Sequence, residues 1–137
     1  MSDAACVSSV LAALRLAMLA LEVGPGDEVL MPAYSCVALP NAVLALDAKP
    51  VFADVKEDDW TLSLPDIERR VNKNTKAIIA VHLFGNPCDM DAIMDIGRRH
   101  NLVVIEDLSQ AHLAESQGRL VGTIGDIGCL SVGGKTL

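Results

Sequence analysis

Aromatic residues are scarce in this sequence. They make up 3% of its 137 residues, whereas hydrophobic residues make up 51%. A chain of this length is long enough to bury a sizeable core. Because so few rings are available, that core must consist mainly of aliphatic side chains. The composition therefore predicts one modest globular domain.

A cluster of basic residues is also missing. The chain has 11 Lys and Arg against 18 Asp and Glu, which gives a net charge of −7. Proteins that bind polyanions carry clustered Lys and Arg on one face. The charge balance therefore argues against nucleic acid or an anionic membrane as the main partner. It is still compatible with a local site for a phosphate group.

Long apolar runs are absent as well. The longest stretch, Val10 to Val23, contains Arg15 and is shorter than the roughly 20 residues that a membrane-spanning helix needs. The first residues, Met1-Ser2-Asp3, lack the positive region of a secretory signal. We therefore expect a cytoplasmic protein that does not cross a membrane.

The cysteines do not form a metal-binding pattern. They lie far apart, with no CxxC spacing and no paired histidines: Cys6, Cys36, Cys88 and Cys129. This spacing argues against a zinc site. Each cysteine lies in or beside an apolar segment, which is typical of a free buried thiol. Reduced thiols in turn indicate a cytosolic compartment.

Short apolar strands alternate with helices along the chain. We predict helices at about 4–22, 38–46, 63–71 and 89–100, and strands at about 28–31, 50–55, 77–81, 102–105 and 127–132. The predicted N-caps are Ser8 or Ser9 for the first helix, Ser63 for the third and Asp89 for the fourth. No tight hairpin is predicted between the apolar runs, and the first helix is apolar on all sides, which predicts that it is buried. The alternation is typical of an α/β domain with a largely parallel sheet flanked by helices. Right-handed crossovers then place the strand ends at one edge: Pro32, Asp54, His82, Asp107 and the loop from Ser131 to Lys135.

Polar residues follow the strand at 102–105 directly, in the order Glu106-Asp107-Leu108-Ser109-Gln110-Ala111-His112. Parallel sheets bind ligands beyond the carboxyl ends of their strands, so Asp107 and Lys135 are expected to face one crevice. They are either an ion pair or the two ends of a cofactor site. Asp107 taken alone is as well explained as the N-cap of a following helix. His82 and His112 also lie at strand ends, where a structural role is more common than catalysis.

Lys135 allows two interpretations. The string Gly134-Lys135-Thr136 also ends a P-loop, but that motif requires a glycine where this chain has Cys129. Alternatively, an amine desolvated between apolar strands attacks a carbonyl. A carboxylate in the same crevice suits pyridoxal 5′-phosphate (PLP), whose ring nitrogen needs an anionic partner.

Several segments carry a more specific resemblance. They occur in the order Gly24-Pro25-Gly26-Asp27-Glu28-Val29, His82-Leu83-Phe84-Gly85-Asn86-Pro87, Glu106-Asp107-Leu108-Ser109-Gln110-Ala111-His112 and Gly125-Asp126-Ile127-Gly128, ending near Lys135. In order and spacing the sequence resembles the DegT/StrS sugar aminotransferases, which are fold-type-I PLP enzymes. The resemblance runs from about Ser8 to Lys135.

The resemblance implies a role for five residues. Lys135 would hold PLP covalently and then move the proton between the substrate carbon and the cofactor. Asp107 would pair with the pyridinium nitrogen, and Gln110 would lie near the phenolic oxygen. Ser131 would contact the phosphate, with Ser9 as a further phosphate contact. No metal takes part.

The resemblance also implies a reaction and an organisation. An amino group, usually from glutamate, would move to a nucleotide-linked keto sugar or a related cyclitol, in a homodimer. A sister branch dehydrates sugars with histidine in place of the lysine, so Lys135 favours transamination. Residues 1–137 would be a partial PLP-binding large domain, without the family's N-terminal segment and C-terminal small domain. The alternatives are an inactive α/β remnant and a P-loop-like phosphate-binding domain.

Overall fold

The computed structural model of the protein describes residues 3–132. Five parallel strands form its central sheet, and two short strands form a hairpin beside it. In chain order the strands are β1 (Glu28–Pro32), β2 (Lys49–Ala53), β3 (Thr75–Val81), β4 (Val103–Asp107), β5 (Glu115–Ser116), β6 (Arg119–Leu120) and β7 (Ile127–Cys129). The helices are α1 (Val10–Ala20), α2 (Ala38–Leu44), α3 (Leu64–Arg70) and α4 (Met90–His100), with a 3-10 turn at Leu83–Gly85. The predicted α/β fold with a parallel sheet is confirmed.

The sheet has the order β2-β1-β3-β4-β7 and is covered by helices on both faces. Because successive side chains of a strand point to opposite faces, each central strand contributes to two cores. Ile79 and Ile105 pack with α1 and α2, whereas Ile78 and Val104 pack with α3 and α4. The side chain of Asp107 points to the same face of the sheet as that of Ile105. The side chain of Glu106 points to the opposite face.

The first helix is shorter and less buried than its sequence predicts. It begins at Val10 because the Ser9 side chain accepts a hydrogen bond from the Ala12 N–H, at 3.1 Å. The predicted cap at Ser8 or Ser9 is therefore confirmed at Ser9, whereas the helical character predicted from about residue 4 is wrong, because no helix covers residues 4–9. Burial on all sides is also wrong within residues 3–132, since Leu16 is 49% and Leu19 is 54% exposed.

The start of α3 differs from its prediction in the residue that stabilises it. Ser63 occupies the N-cap position, but its side chain makes no capping hydrogen bond. Buried Asp66 instead accepts a hydrogen bond from the Asp54 N–H at 2.7 Å and pairs with Arg69 and Arg70. The hydrogen bond from Arg70 holds the pKa of Asp66 below its usual value. The acid in the first turn thus joins α3 to the end of β2.

The hairpin of β5 and β6 is a feature that the sequence patterns do not predict, because its first strand, Glu115–Ser116, is polar and is not one of the apolar runs. Its turn is Gln117-Gly118, with φ of 50° and 75°. Two positive φ values match the two-residue turn whose twist fits paired strands. Glutamine is not a usual residue at the first position of such a turn, so no local pattern marks this hairpin.

Burial separates the four cysteines into two pairs. Cys88 and Cys129 are buried, as predicted, and burial raises the pKa of Cys88 to about 12 and that of Cys129 to about 11. Cys6 and Cys36 are exposed, so the expectation of burial is wrong for them. Within residues 3–132, no helix combines the length and the apolar character that crossing a membrane requires.

Candidate functional site

The carboxyl end of β4 is where the candidate site begins. Asp107 is the last residue of β4 and is only 6% exposed. Its Oδ1 accepts a hydrogen bond from the Ser109 N–H at 3.0 Å, which closes a tight Asx turn. Turns, and not a helix, occupy residues 108–114. The interpretation of Asp107 as a helix N-cap is therefore wrong.

A cavity lies directly beyond this turn. Its polar side consists of Asp107, Ser109 and Gln110, and its apolar walls are formed by Val10, Cys36, Ala38, Leu39, Val81 and Leu83. Apolar walls with a few convergent polar groups are typical of small-molecule sites. All three polar residues come from one four-residue turn, so the site depends on how that turn is held.

The side chain of Gln110 is held by the segment that follows β3. Its Oε1 accepts a hydrogen bond from the Phe84 N–H at 3.3 Å. Phe84 has a left-handed backbone, with φ of 53°, and its ring lies 6.4 Å from that of Tyr34, centroid to centroid. The amide of Gln110 therefore ties the turn after β4 to the segment after β3.

Two buried polar atoms of this region have no hydrogen-bond partner within residues 3–132. They are the hydroxyl oxygen of Ser109 and Nε2 of His112. Leaving such a group unpaired costs about 1–3 kcal/mol. Ser109 lines the cavity, so its unpaired hydroxyl indicates that the cavity takes a ligand with a polar group. A pyridine ring with a nitrogen and a phenolic oxygen fits this requirement.

On the opposite face of β4, Glu106 holds the surrounding segments together. Its carboxylate accepts hydrogen bonds from the N–H groups of Gly122, Ile124 and Gly125, at 2.6–2.8 Å. It also lies 3.0 Å from Nε2 of His82. Nδ1 of His82 accepts the Cys88 N–H at 3.0 Å, so the proton of the ring lies on Nε2 and is donated to Glu106. Both side chains are completely buried.

The electrostatic result is a stabilised carboxylate. Burial alone would raise the pKa of Glu106, but the hydrogen bonds from His82 and from the three backbone N–H groups outweigh it and lower the pKa. Gly122 suits this arrangement because its φ is +83°, and a Cβ there would lie 2.7 Å from Leu108. The loop that leads into β7 is thereby attached under β4.

The structure brings some of the predicted site residues together. Asp107 and Gln110 line the same cavity. Ser9 caps α1, and the next residue, Val10, lines the cavity, whereas Ser9 itself does not. Ser131 is half-buried, two residues beyond β7, and is not part of the lining. Lys135 lies outside the described residues.

A second cleft lies at the other end of β4. It is lined by Met94, Gly97, Arg98, Asn101, Leu102, Val103, Val104 and Asp126. It opens at the amino ends of the strands, away from Asp107. Parallel sheets bind ligands at the carboxyl ends, so the cavity beside Asp107 is the better candidate.

Comparison with known proteins identifies the family. The model of the DegT/DnrJ/EryC1/StrS aminotransferase family matches residues 1–137. The chain belongs to this family. This membership confirms the resemblance inferred from the sequence motifs and favours an aminotransferase over the P-loop alternative.

The curated relatives of this family member include enzymes named for nucleotide-linked sugars. GDP-perosamine synthase from Escherichia coli O157:H7 is 43% identical over 135 residues, which is 98% of this chain and 37% of that protein. UDP-N-acetyl-3-dehydro-alpha-D-glucosamine 3-aminotransferase from Acidithiobacillus ferrooxidans is 49% identical over 119 residues, which is 87% of this chain and 32% of that protein. The chain thus spans about a third of the length of these relatives.

Solved structures of the family share the fold. An aminotransferase from Psychrobacter cryohalolentis is 44% identical and superimposes with a TM-score of 0.86, over 88% of this chain and 30% of that one. NtdA from Bacillus subtilis, solved with bound cofactor PMP, is 38% identical with a TM-score of 0.81, over 88% of this chain and 27% of that one. The parallel sheet described above is therefore the sheet of PLP-type aminotransferases.

Glu106 and Ser109 were not among the site residues predicted from the sequence. Glu106 lies within a mostly apolar strand, and an acid at a buried position indicates that partners are present. That signal was available. No signal marked Ser109, because only the structure shows that its hydroxyl is buried beside the cavity without a partner.

Proposed function

We propose that the chain binds PLP in the cavity beside Asp107. We further propose that the protein transfers an amino group from glutamate to a keto sugar carried on a nucleotide, or to a related cyclitol. The observation that carries the proposal is the turn Asp107–Gln110, which places an acid, a serine and an amide residue in the lining of a largely apolar cavity. When bound, PLP supplies an electron sink for the chemistry of the amino group.

Asp107 is the partner that we propose for the ring nitrogen. The Ser109 N–H donates to Oδ1 of Asp107 at 3.0 Å, which orients the carboxylate, and Asp107 lines the cavity. A carboxylate in a largely apolar cavity favours a protonated ring nitrogen, because opposite charges attract strongly where water is excluded. We propose that Gln110 lies near the phenolic oxygen, and that Lys135 holds the cofactor and moves the proton at the substrate carbon.

For the phosphate group we propose the amino end of α1 together with Ser9 and Ser131. The N–H groups at the start of a helix and its dipole favour an anion. Ser9 caps this helix, and Val10 lines the cavity. The residues after Ser9 are Val10 and Leu11, which have no side-chain hydrogen-bond donor, so we propose that backbone N–H groups provide most of the contact.

The substrate class rests on the relatives. GDP-perosamine synthase and the UDP-sugar 3-aminotransferase both carry nucleotide sugars in their names. PMP, named in the NtdA structure, is the aminated form of PLP, which supports the proposed cofactor. We propose a nucleotide-linked keto sugar as the amino acceptor on this basis.

The proposed function is tested by adding PLP to the purified chain and following absorbance near the visible range. We expect a new band, and borohydride should then fix the cofactor to Lys135, as read by peptide mass spectrometry. Lys135→Ala should abolish the fixed label, whereas the control Lys73→Ala, at an exposed lysine in the turn before β3, should retain it. A folded chain without the band would overturn the proposal in favour of an inactive remnant, and so would a label that persists in Lys135→Ala.

A further inference from the structure

The side chain of Ser109 carries a buried hydroxyl beside the proposed PLP site. It is 7% exposed and lines the cavity, and its hydroxyl has no hydrogen-bond partner within residues 3–132. Its backbone N–H, in contrast, is engaged with Oδ1 of Asp107 at 3.0 Å. One residue therefore fixes the acid through its main chain and leaves its side-chain donor unused.

An unpaired hydroxyl in this place lowers the stability of the ligand-free protein. A buried polar group without a partner is unfavourable relative to an apolar group of the same shape. Alanine would occupy the same position without that cost. The hydroxyl is therefore best explained by an interaction that forms when the cavity is filled.

We propose that Ser109 is a further cofactor-binding residue, whose hydroxyl hydrogen-bonds to the pyridine-ring end of PLP. This inference rests on the proposed function, because it requires PLP in this cavity. The ring end is favoured over the phosphate because Ser109 is adjacent to Gln110 and two residues from Asp107. The proposed phosphate contact is the amino end of α1, a different element, whose residue Val10 lines the cavity.

The test compares the ligand-free stability and the PLP affinity of Ser109→Ala with those of the unsubstituted chain. We expect the dissociation constant for PLP, measured by absorbance titration, to rise about three- to tenfold, as for the loss of one hydrogen bond. The melting temperature of the ligand-free chain should stay the same or rise. If the hydroxyl has only a structural role, Ser109→Ala should instead lower the melting temperature of the ligand-free chain and leave the affinity for PLP unchanged.

Ser116 provides the matched control. It is also a buried serine, at 8% exposure, but its hydroxyl donates to the Cys88 carbonyl at 3.4 Å and it does not line the cavity. Ser116→Ala should therefore lower the melting temperature of the ligand-free chain and leave the dissociation constant for PLP unchanged. Ser109→Ala is thus expected to change the affinity for PLP, whereas Ser116→Ala is expected to change the melting temperature.

Phosphate-free pyridoxal and inorganic phosphate distinguish the two ends of the cofactor. Ser109→Ala should weaken pyridoxal by the same factor as PLP and should not change the binding of inorganic phosphate. If only PLP and phosphate are weakened, the ring contact is wrong. If the unsubstituted chain binds PLP and Ser109→Ala binds it equally well, this inference fails while the proposed function stands. If the unsubstituted chain binds no PLP, both are wrong.

Discussion

Glu106→Gln is expected to lower the free energy of unfolding by about 3–5 kcal/mol, the usual cost of breaking a buried charged network. The carboxylate accepts hydrogen bonds from three backbone N–H groups and lies 3.0 Å from His82 Nε2. Glutamine has nearly the same shape, but its NH2 group is a donor and faces donors on one side. Urea unfolding followed by circular dichroism measures the change.

The pH dependence of stability should change with the same substitution. The folded pKa of Glu106 lies below its ordinary value of 4.5, so its stabilising contribution is complete above that value. The contribution is lost as the pH falls through the lower folded pKa, because the carboxylate must then take up a proton. Glu106→Gln removes the titrating group, and we expect a shallower loss of stability on the acid side.

Glu115→Gln is the matched control for Glu106→Gln. Glu115 is exposed at the start of β5, and substitutions at such positions change stability by about 0.5 kcal/mol or less. If Glu106→Gln has an effect as small as that of Glu115→Gln, the carboxylate does not hold the loop before β7.

Asp107→Asn is expected to weaken PLP binding about 10- to 150-fold, which corresponds to the loss of a hydrogen bond between charged groups. The amide oxygen still accepts the Ser109 N–H, so the turn is retained and the ligand-free stability should change little. What is lost is the negative charge opposite the ring nitrogen. Absorbance titration with PLP measures the affinity, and thermal unfolding measures the stability.

Asp126→Asn is the matched control for Asp107→Asn. Asp126 also accepts a backbone hydrogen bond, from the Val104 N–H at 2.8 Å, but it lines the cleft near the amino end of β4. Its substitution should leave the PLP affinity unchanged. Equal affinities for the unsubstituted chain and Asp107→Asn would mean that the acid does not face the ring.

Much of the fold follows from short-range patterns. The apolar run at 77–81 predicts a strand and lies within β3. Asp89 caps α4, as predicted, by accepting the Ala92 N–H at 3.2 Å. The parallel order of strands followed from the alternation with helices. Asp107 and Gln110 were placed at the correct sheet edge because the polar run begins where β4 ends.

The remaining features depend on tertiary contacts that no local pattern encodes. Ser63 has the sequence of a helix cap, yet the buried acid Asp66 makes the contacts there. Leu16 and Leu19 on α1 are exposed because no other segment of the described chain packs against that face of the helix. The missing partner of Ser109 is also visible only in three dimensions, because it depends on which groups surround a buried hydroxyl.

The location of bound PLP is the most direct test of the central claim. Two-dimensional amide spectra of the labelled chain, titrated with PLP, report which residues meet the ligand. We expect the largest shifts at Leu39, Leu83, Ser109 and Gln110 around the cavity, and none at the cleft of Arg98 and Asn101. Shifts confined to that cleft, or scattered over exposed lysines, would contradict a cofactor site beside Asp107.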